Sequence, residues 1–372
     1  MPRLPLRRSI VAAVVTGVCA AGLAGCSSVT TTPSRTHAPE DGPRASTGGR
    51  AAVRSAVRTV AFGRSRGRDV AVTAGADGLV RVRWLPALEP AAGPLPGDRA
   101  AVAELDGRSV VFTVGGYGGR LWDLDTRREL LHVPAPVSAF AFGALRGAPA
   151  LFTGDRRGRV RIWDLTSGTS AGSLDTGAGT AITALASARV RSRPILVVAV
   201  DNHGDDPGHA QLWDLTTRHR TGAVLPARQE AESFDRFQVL TLDGRPTLVT
   251  GSDYGLRRWD LERRQELGPS VENRQEDARL FSFPSFTVAL DGRRPVLVTG
   301  RVAGAPIQLR DPADGAVLAE MAVRPGTAVT ALAAGTVNGD QVLLSGDEDG
   351  TVRLWDLRTR GRTDGPAPTG GS

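Results

Sequence analysis

A short hairpin sequence that ends in Trp-Asp recurs along this chain and constrains its fold more than any other feature. The clearest copy is SGDEDGTVRLWDL, residues 345–357. Asp349-Gly350 supplies the left-handed backbone angles of a tight turn between two strands, and Val352 to Trp355 alternate apolar and polar as a half-buried strand does. The segment therefore predicts a β-hairpin.

Six further copies of this hairpin precede the last one. Four keep the Trp-Asp pair, at residues 122–123, 163–164, 213–214 and 259–260, and two alter it, to Arg83-Trp84 and Arg310-Asp311. Successive copies lie 39 to 51 residues apart, close to the roughly 40 to 45 residues of a four-stranded propeller blade. Seven copies predict seven blades.

The segments between the Trp-Asp strands are also β-rich. Short apolar runs are joined by Asp106-Gly107, Asp243-Gly244 and Asp291-Gly292, dipeptides typical of tight two-residue hairpin turns. Helical periodicity is not sustained anywhere in the chain. We therefore predict an all-β, seven-bladed β-propeller that spans residues 54–368.

The units resemble those of the WD-repeat β-propellers over about residues 54 to 366. The resemblance implies that the first strand of each blade lines a central channel and that the Trp strand lies third, its indole N–H bonded to a hydroxyl. It assigns structural roles to Thr113, Trp122, Thr153, Trp163, Trp213, Thr250, Asp253, Trp259, Ser345, Asp349 and Trp355. Trp213 has Ala199 and Val200 where the hydroxyl is expected, and Arg83 and Arg310 occupy the Trp position in blades one and six.

Two segments are candidates for closing the ring. In many relatives an N-terminal strand completes the last blade. Here residues 362–368, RTDGPAP, offer a C-terminal alternative. We favour the C-terminal segment as the outer strand of blade seven.

The first 25 residues have the pattern of an export signal. A basic start is followed by an apolar run over residues 10–24, which is shorter than a membrane helix needs. The sequence Leu23-Ala24-Gly25-Cys26 resembles the lipobox of bacterial lipoproteins, which implies a lipid on Cys26. The alternative is an ordinary secretory peptide cleaved near Cys26, and the export route, general or twin-arginine, stays open.

Residues 26–53 are rich in Ser, Thr, Pro and Gly and cannot bury a core. If Cys26 carries lipid, this stretch is a flexible tether; otherwise it is a disordered leader. We therefore expect a protein that is lipid-anchored on the extracytoplasmic face of the cell membrane.

Cysteine and charge usage exclude several functions. The two cysteines, Cys19 and Cys26, belong to the leader and the anchor, so the domain is expected to lack disulfides, thiol nucleophiles and Cys-based metal sites. Removing the leader's arginines lowers the formal net charge from +7 to +4. Every basic residue is Arg, and these arginines are spread over all repeats beside acidic residues. No basic cluster with aromatics indicates nucleic-acid binding.

The loops of blades four to six depart most from the average repeat. An extended turn before Trp213 carries several Asp and His residues, and two long blade-to-blade loops, residues 226–236 and 268–283, combine charges with aromatic residues. Such residues suit a protein partner. The candidate surface consists of Asp201, His203, Asp205, Asp206, His209, Glu230, Phe234, Arg274, Arg279 and Phe281. Phe237 and Phe283 are alternatively inward-facing strand starts.

Two functions follow from these patterns. The first is a non-catalytic, monomeric binding or scaffolding module for a protein partner, with no cofactor. The alternative is a propeller enzyme or a metal-dependent binder of small ligands, since the blade-four loop brings carboxylates and imidazoles together. Its spacing matches no ordered calcium loop, which favours a solvated polar loop. No Ser-His-Asp arrangement or phosphate-binding Gly loop is recognisable.

Overall fold

The described part of the chain consists of antiparallel sheets and the turns that join their strands, as the sequence predicts. The computed structural model describes residues 55–177, 179–200, 208–226, 236–242, 244–252, 255–268, 271–272, 285–292, 294–300 and 305–361. These ranges contain strands and turns but no helix, and so nothing helical that is able to cross a membrane. The predicted signal peptide, residues 1–25, and tether, residues 26–53, lie outside the described residues.

The first four repeats each form one sheet. Blade 1 consists of β1 (Val57–Ser65), β2 (Arg68–Gly75), β3 (Leu79–Trp84), β4 (Glu89–Pro90) and β5 (Leu95–Pro96). Blade 2 consists of β6 (Arg99–Leu105), β7 (Arg108–Gly115), β8 (Gly118–Asp123) and β9 (Glu129–Val133). Blade 3 consists of β10 (Ala139–Leu145), β11 (Ala148–Gly154), β12 (Arg159–Asp164) and β13 (Thr169–Asp175). Blade 4 consists of β14 (Ile182–Val190), β15 (Arg193–Val200), β16 (His209–Asp214), β17 (His219–Arg220) and β18 (Leu225–Pro226).

The last three repeats complete a ring of seven blades. Blade 5 consists of β19 (Arg236–Leu242), β20 (Arg245–Ser252), β21 (Gly255–Asp260), β22 (Gln265–Glu266) and β23 (Val271–Glu272). Blade 6 consists of β24 (Ser285–Asp291), β25 (Arg294–Gly300), β26 (Ile307–Arg310) and β27 (Val317–Met321). Blade 7 consists of β28 (Val329–Val337), β29 (Asp340–Asp347) and β30 (Val352–Asp356). The seven-bladed propeller is the predicted architecture.

Each blade is an antiparallel meander, so its turns lie alternately at two ends. The turns between first and second strands and those that follow Trp-Asp share one end, which we call the hairpin face. The turns between second and third strands and the blade-to-blade connections share the other end, the loop face. First strands of neighbouring blades lie side by side, as β1 does with β6 and with β28.

The hydrophobic core lies in the joints between blades. One cluster combines Phe112 of blade 2 with Phe140 and Leu151 of blade 3. The two phenylalanine rings meet edge to face, with centroids 5.2 Å apart and planes at 71°, a geometry that aromatic quadrupoles favour. Each blade therefore buries its apolar residues against the next blade, as repeat units do.

Glycines near the ends of the second strands allow these joints to close. A Cβ on Gly154 would lie 2.6 Å from Ile182 of blade 4, and one on Gly346 would lie 2.3 Å from Val57 of blade 1. Distances this short exclude any side chain without a shift of the neighbour.

Blade 7 closes the ring directly on blade 1. Val57 and Ala71 share a buried cluster with Leu344 and Leu354, and the Thr330 hydroxyl donates to the Val57 carbonyl at 2.5 Å. The described part of blade 7 has three strands. Both segments that the sequence suggests as its completing strand, residues before 54 and residues 362–368, lie outside the described residues.

The Asp that follows each Trp organises the turn after it. In blade 2 the Asp123 carboxylate accepts the backbone N–H groups of Asp125 and Thr126 at 2.9 and 2.8 Å. Arg127 then adopts a left-handed conformation, φ 63°, and its N–H donates to the Asp123 carbonyl at 2.9 Å. The carboxylate thus satisfies backbone donors, and its role in this blade is structural.

Candidate functional site

Three of the Trp residues make the indole hydrogen bonds that the resemblance implies. Trp122 donates to the Thr113 hydroxyl at 3.1 Å, Trp163 to Thr153 at 2.9 Å and Trp355 to Ser345 at 2.9 Å. The hydroxyl side chains are buried, so each bond satisfies a polar group away from water. These bonds join the second and third strands of their blades.

Trp213 of blade 4 uses a different partner. In the other blades the hydroxyl residue lies opposite the residue two positions before Trp. In blade 4 that residue is Gln211, and the strand register places Val198 opposite it, and not Ala199 or Val200. The Trp213 indole donates instead to Gln211 Oε1 at 2.9 Å. The assignment of Ala199 and Val200 to the hydroxyl position was therefore wrong by one to two residues. The turn before Trp213 is longer than in other blades, so counting back from Trp213 in the sequence does not reach the correct residue of β15.

Trp259 of blade 5 lacks the expected bond to Thr250. Its buried indole nitrogen has no hydrogen-bond partner within the described ranges. The Arg257 guanidinium lies over the Trp259 ring, 4.4 Å from its centroid, and binds the Glu266 carboxylate through two contacts of 3.0 and 2.9 Å. A cation–π contact therefore covers the indole here, and the prediction for Thr250 is corrected.

Arg83 and Arg310 occupy the Trp position, as the sequence predicts. Arg83 lies opposite Ala71 and Arg310 opposite Leu297, the places that Trp takes in other blades. Arg83 donates to the Leu88 carbonyl at 3.1 Å, and Arg310 donates to the Gly315 carbonyl at 2.8 Å. In both blades the arginine holds the turn that follows its own strand.

The resemblance implies two turn carboxylates, Asp253 and Asp349, and the structure describes the second. Asp349 accepts the Thr351 N–H at 2.9 Å and lies 3.9 Å from Arg324, so it shapes the turn before Trp355. Asp253 lies outside the described residues.

Of the ten residues of the candidate surface, the structure describes His209. The others, Asp201, His203, Asp205, Asp206, Glu230, Phe234, Arg274, Arg279 and Phe281, lie outside the described residues, and the side chains of Phe237 and Phe283 do so as well. His209 is half-buried at the start of β16, and its Nε2 lies 3.1 Å from Gln211 Nε2. Since the amide nitrogen donates, Nε2 of a neutral His209 accepts, and Gln211 Oε1 is left facing Trp213.

Burial lowers the pKa of His209 from its ordinary value, and the nearby charge of Arg220 lowers it further. Within the described residues no group of three or more His, Cys, Asp or Glu side chains is arranged to hold a metal ion. His209 is therefore placed as a neutral member of the His209–Gln211–Trp213 chain.

Acidification is expected to destabilise the fold through His209. Because the pKa of His209 is lower in the folded state, the unfolded chain takes up the His209 proton first as pH falls. The contribution of neutral His209 to the free energy of unfolding is therefore full above about pH 6.5 and is lost as pH falls through the folded pKa. Urea unfolding of wild type and His209→Gln between about pH 7.5 and about pH 5 measures it. The loss should be smaller in His209→Gln and unchanged in the exposed control His219→Gln. Equal losses in wild type and His209→Gln would contradict the assignment.

The sequence reasoning missed one aromatic residue on the loop face. Tyr117 lies in the turn between β7 and β8 and is 99% exposed. The turn reads GGYGG, residues 115–119. Gly118 has φ 127°, and a Cβ there would lie 2.2 Å from the Val133 carbonyl, so the turn depends on glycine. The GGYGG composition itself was the available signal, since four glycines leave the tyrosine without side-chain neighbours.

Comparison with known families decides the nature of the repeat. The family model of the WD domain, G-beta repeat, matches residues 322–356, which contain β28 to β30. The seventh blade is therefore similar to a WD repeat. The six other sheets are built in the same way, which is consistent with a propeller of WD-like repeats.

Two further comparisons concern the chain as a whole. The crystal structure of the computationally designed Ika8 protein is similar, with 20% identity, coverage of 82% of this chain and 96% of that chain, and a TM-score of 0.49. No curated protein sequence matches the chain.

Proposed function

We propose that this protein is a non-catalytic scaffold that binds a protein partner through the loop face of its propeller. The observation that carries the proposal is Tyr117, a 99% exposed aromatic side chain on the loop face. Tyrosine offers a large, rigid contact area with a polar end, and it is enriched among the residues that dominate binding at protein interfaces.

The geometry of the Tyr117 turn supports this role. A turn that requires glycine at position 118 has little freedom to fold its tyrosine back onto the blade. The side chain is thus held ready for a partner, which reduces the entropy that binding must overcome. Arg120, three residues after Tyr117 in the chain, pairs with Glu129 at 3.5 Å, and such charges suit the polar rim of an interface.

The remaining signature residues support a scaffold by what they already bind. Three Trp indoles are paired with hydroxyls, and the Asp carboxylates after Trp are bonded to turn amides. These groups stabilise the blades, which leaves the turn tips as the part of the loop face that is free to vary with function.

The location is part of the proposal. Cys26 is the lipid attachment site, residues 26–53 form the tether, and the propeller lies on the extracytoplasmic face of the cell membrane as a monomer. The lipobox-like sequence LAGC after a short apolar run supports this arrangement.

Site-specific crosslinking on whole cells tests the scaffold. A photoreactive amino acid at Tyr117 should give a discrete adduct that mass spectrometry identifies as one protein, whereas the same group at Val317 should not. Val317 is 45% exposed on the outer strand of blade 6. With the partner identified, Tyr117→Ala should weaken binding about 30-fold, the effect of losing about 2 kcal/mol at a central aromatic contact. Adducts of the same protein at both positions, or unchanged affinity of Tyr117→Ala, would contradict the proposal.

A further inference from the structure

The turns between first and second strands, which form one of the two sets of turns on the hairpin face, carry an excess of positive charge. The turns between first and second strands contain ten exposed arginines, at residues 64–68, 108, 146, 189–193, 245 and 294, which we call the arginine ring. Five acidic residues lie in or directly beside these turns and the corresponding turn of blade 7, at residues 69, 104, 106, 291 and 340. Six of the seven blades contribute to the ring, so it surrounds the end of the propeller and is not confined to one side.

Much of this charge is not neutralised within the molecule. Arg146, Arg245 and Arg294 form no ion pair among the described residues. The ion pairs that other ring members make are long, such as Arg64 with Asp69 at 3.4 Å and Arg193 with Asp214 at 3.8 Å. Exposed pairs of this kind are weak and leave the guanidinium groups open to an external anion.

The loop face differs in sign where it is described. The turns of blades 1, 2, 3 and 7 between second and third strands contain three exposed arginines, at residues 156, 157 and 159, and four acidic residues that are not buried, at residues 77, 155, 348 and 349. Positive charge is therefore separated toward the hairpin face across the described turns.

We infer that the arginine ring binds the anionic headgroups of a phospholipid membrane. Guanidinium groups bind phosphate oxygens in a planar, two-bonded geometry, and basic residues near an anionic bilayer each contribute to binding. A protein interface would need an apolar centre. Within the described turns of the ring, Leu290 is the one large hydrophobic side chain that is exposed.

A ring of charges around a flat end fits an extended anionic surface better than a single acidic peptide. Such binding would orient the propeller with its hairpin face on the bilayer and its loop face, including Tyr117, toward a partner. The inference depends neither on Tyr117 nor on lipid at Cys26, since it concerns a separate set of side chains.

The test uses the full chain with Cys26→Ser, so that no attached lipid contributes. Sedimentation with vesicles compares phosphatidylcholine mixed with phosphatidylglycerol against phosphatidylcholine alone. The variant Arg146→Gln/Arg245→Gln/Arg294→Gln removes three ring charges that have no ion-pair partner among the described residues. Arg156→Gln/Arg157→Gln/Arg159→Gln is its matched control, because it removes the same charge from exposed positions of the loop face.

Wild type and the loop-face control should bind the anionic vesicles more tightly than the neutral ones, and salt should weaken this preference. The ring variant should lose about 100-fold in affinity for anionic vesicles, since each charge near such a surface contributes about fivefold. Any contribution of the N-terminal residues is common to all variants and cancels. Equal losses in both triple variants, undiminished binding by the ring variant, or a preference for soluble polyglutamate over vesicles would each overturn the inference.

Discussion

Arg353→Met is expected to destabilise the propeller by about 3 to 5 kcal/mol, the cost of leaving a buried charge without its partner. Arg353 and Asp347 form an ion pair in blade 7, and their side chains are 8% and 1% exposed. Arg353 lies directly opposite Ser345, the hydroxyl that holds Trp355, so the pair is close to the hydrogen bond of that indole. The free energy of unfolding, measured in urea at neutral pH, gives the effect.

The pH dependence of this variant provides a second readout. Burial raises the pKa of Asp347, although the Arg353 contact lowers it. Without Arg353 the burial effect dominates, so the folded pKa lies above the unfolded value. Protonation of Asp347 then favours the folded state, and the penalty should be smallest at acidic pH and grow as pH rises through the folded pKa.

Arg81→Met is the matched control for Arg353→Met. Arg81 has the same register position in blade 1, opposite Thr73, and pairs with Asp77 at 2.6 Å, but its side chain is 38% exposed. An exposed pair of this kind contributes about 0 to 1 kcal/mol. Adding Asp347→Asn to Arg353→Met should recover part of the loss. An effect of Arg353→Met no larger than that of Arg81→Met would contradict the buried-pair argument.

Gly346→Val is expected to open the joint between the last and first blades. A Cβ at this position would lie 2.3 and 2.7 Å from two atoms of Val57 and 3.1 Å from Val60, and valine adds two methyl groups. Overpacking at a tight joint costs about 3 kcal/mol. We expect a lower free energy of unfolding, together with faster hydrogen exchange in β1 and β28.

Gly93→Val serves as the control for Gly346→Val. Gly93 is exposed, and a Cβ there would meet no atom within 4 Å, so the same substitution should change stability by less than about 0.5 kcal/mol. Faster exchange spread evenly over all blades, or equal costs for the two variants, would argue against a specific role of Gly346 in closing the ring.

The fold was predictable because its signals are local and repeated. Each Trp-Asp strand reports its own turn and pleat, and seven copies at a regular spacing define the blades. The register of the third strand was also predictable in the blades where Arg replaces Trp. Alignment of the repeats places Arg83 and Arg310 at the position of Trp122 and Trp163, and the strand pairing agrees.

Departures from the repeat were harder to predict from sequence. The Trp213 indole donates to Gln211, which is two residues away in the same strand. A search for a hydroxyl residue in the second strand of the blade cannot find this partner. The Trp259 indole nitrogen has no hydrogen-bond partner among the described residues, and its ring lies under the Arg257 guanidinium, which Glu266 binds. Such details follow from packing between strands and not from the pattern of one strand.

The surfaces illustrate the same limit. Along the sequence, arginines are spread over every repeat beside acidic residues, which predicts no basic cluster. The arginine ring appears only when the meander brings the turns at residues 64–68, 189–193 and 294 to one end. Most of the predicted partner surface, including Asp205 and Phe281, lies outside the described residues and stays a prediction.

The position of β1 determines how the domain would bear tension. The chain that precedes Ser55 enters the propeller through the innermost strand of blade 1, which is paired with β2 from Val57 to Ser65 and packed against β28 of blade 7. A pull from the N-terminal side therefore acts on the strand that also closes the ring. The load is carried by a strand that is paired with β2 and packed against β28, and mechanical strength would be set by that joint and not by an outer edge that could peel away.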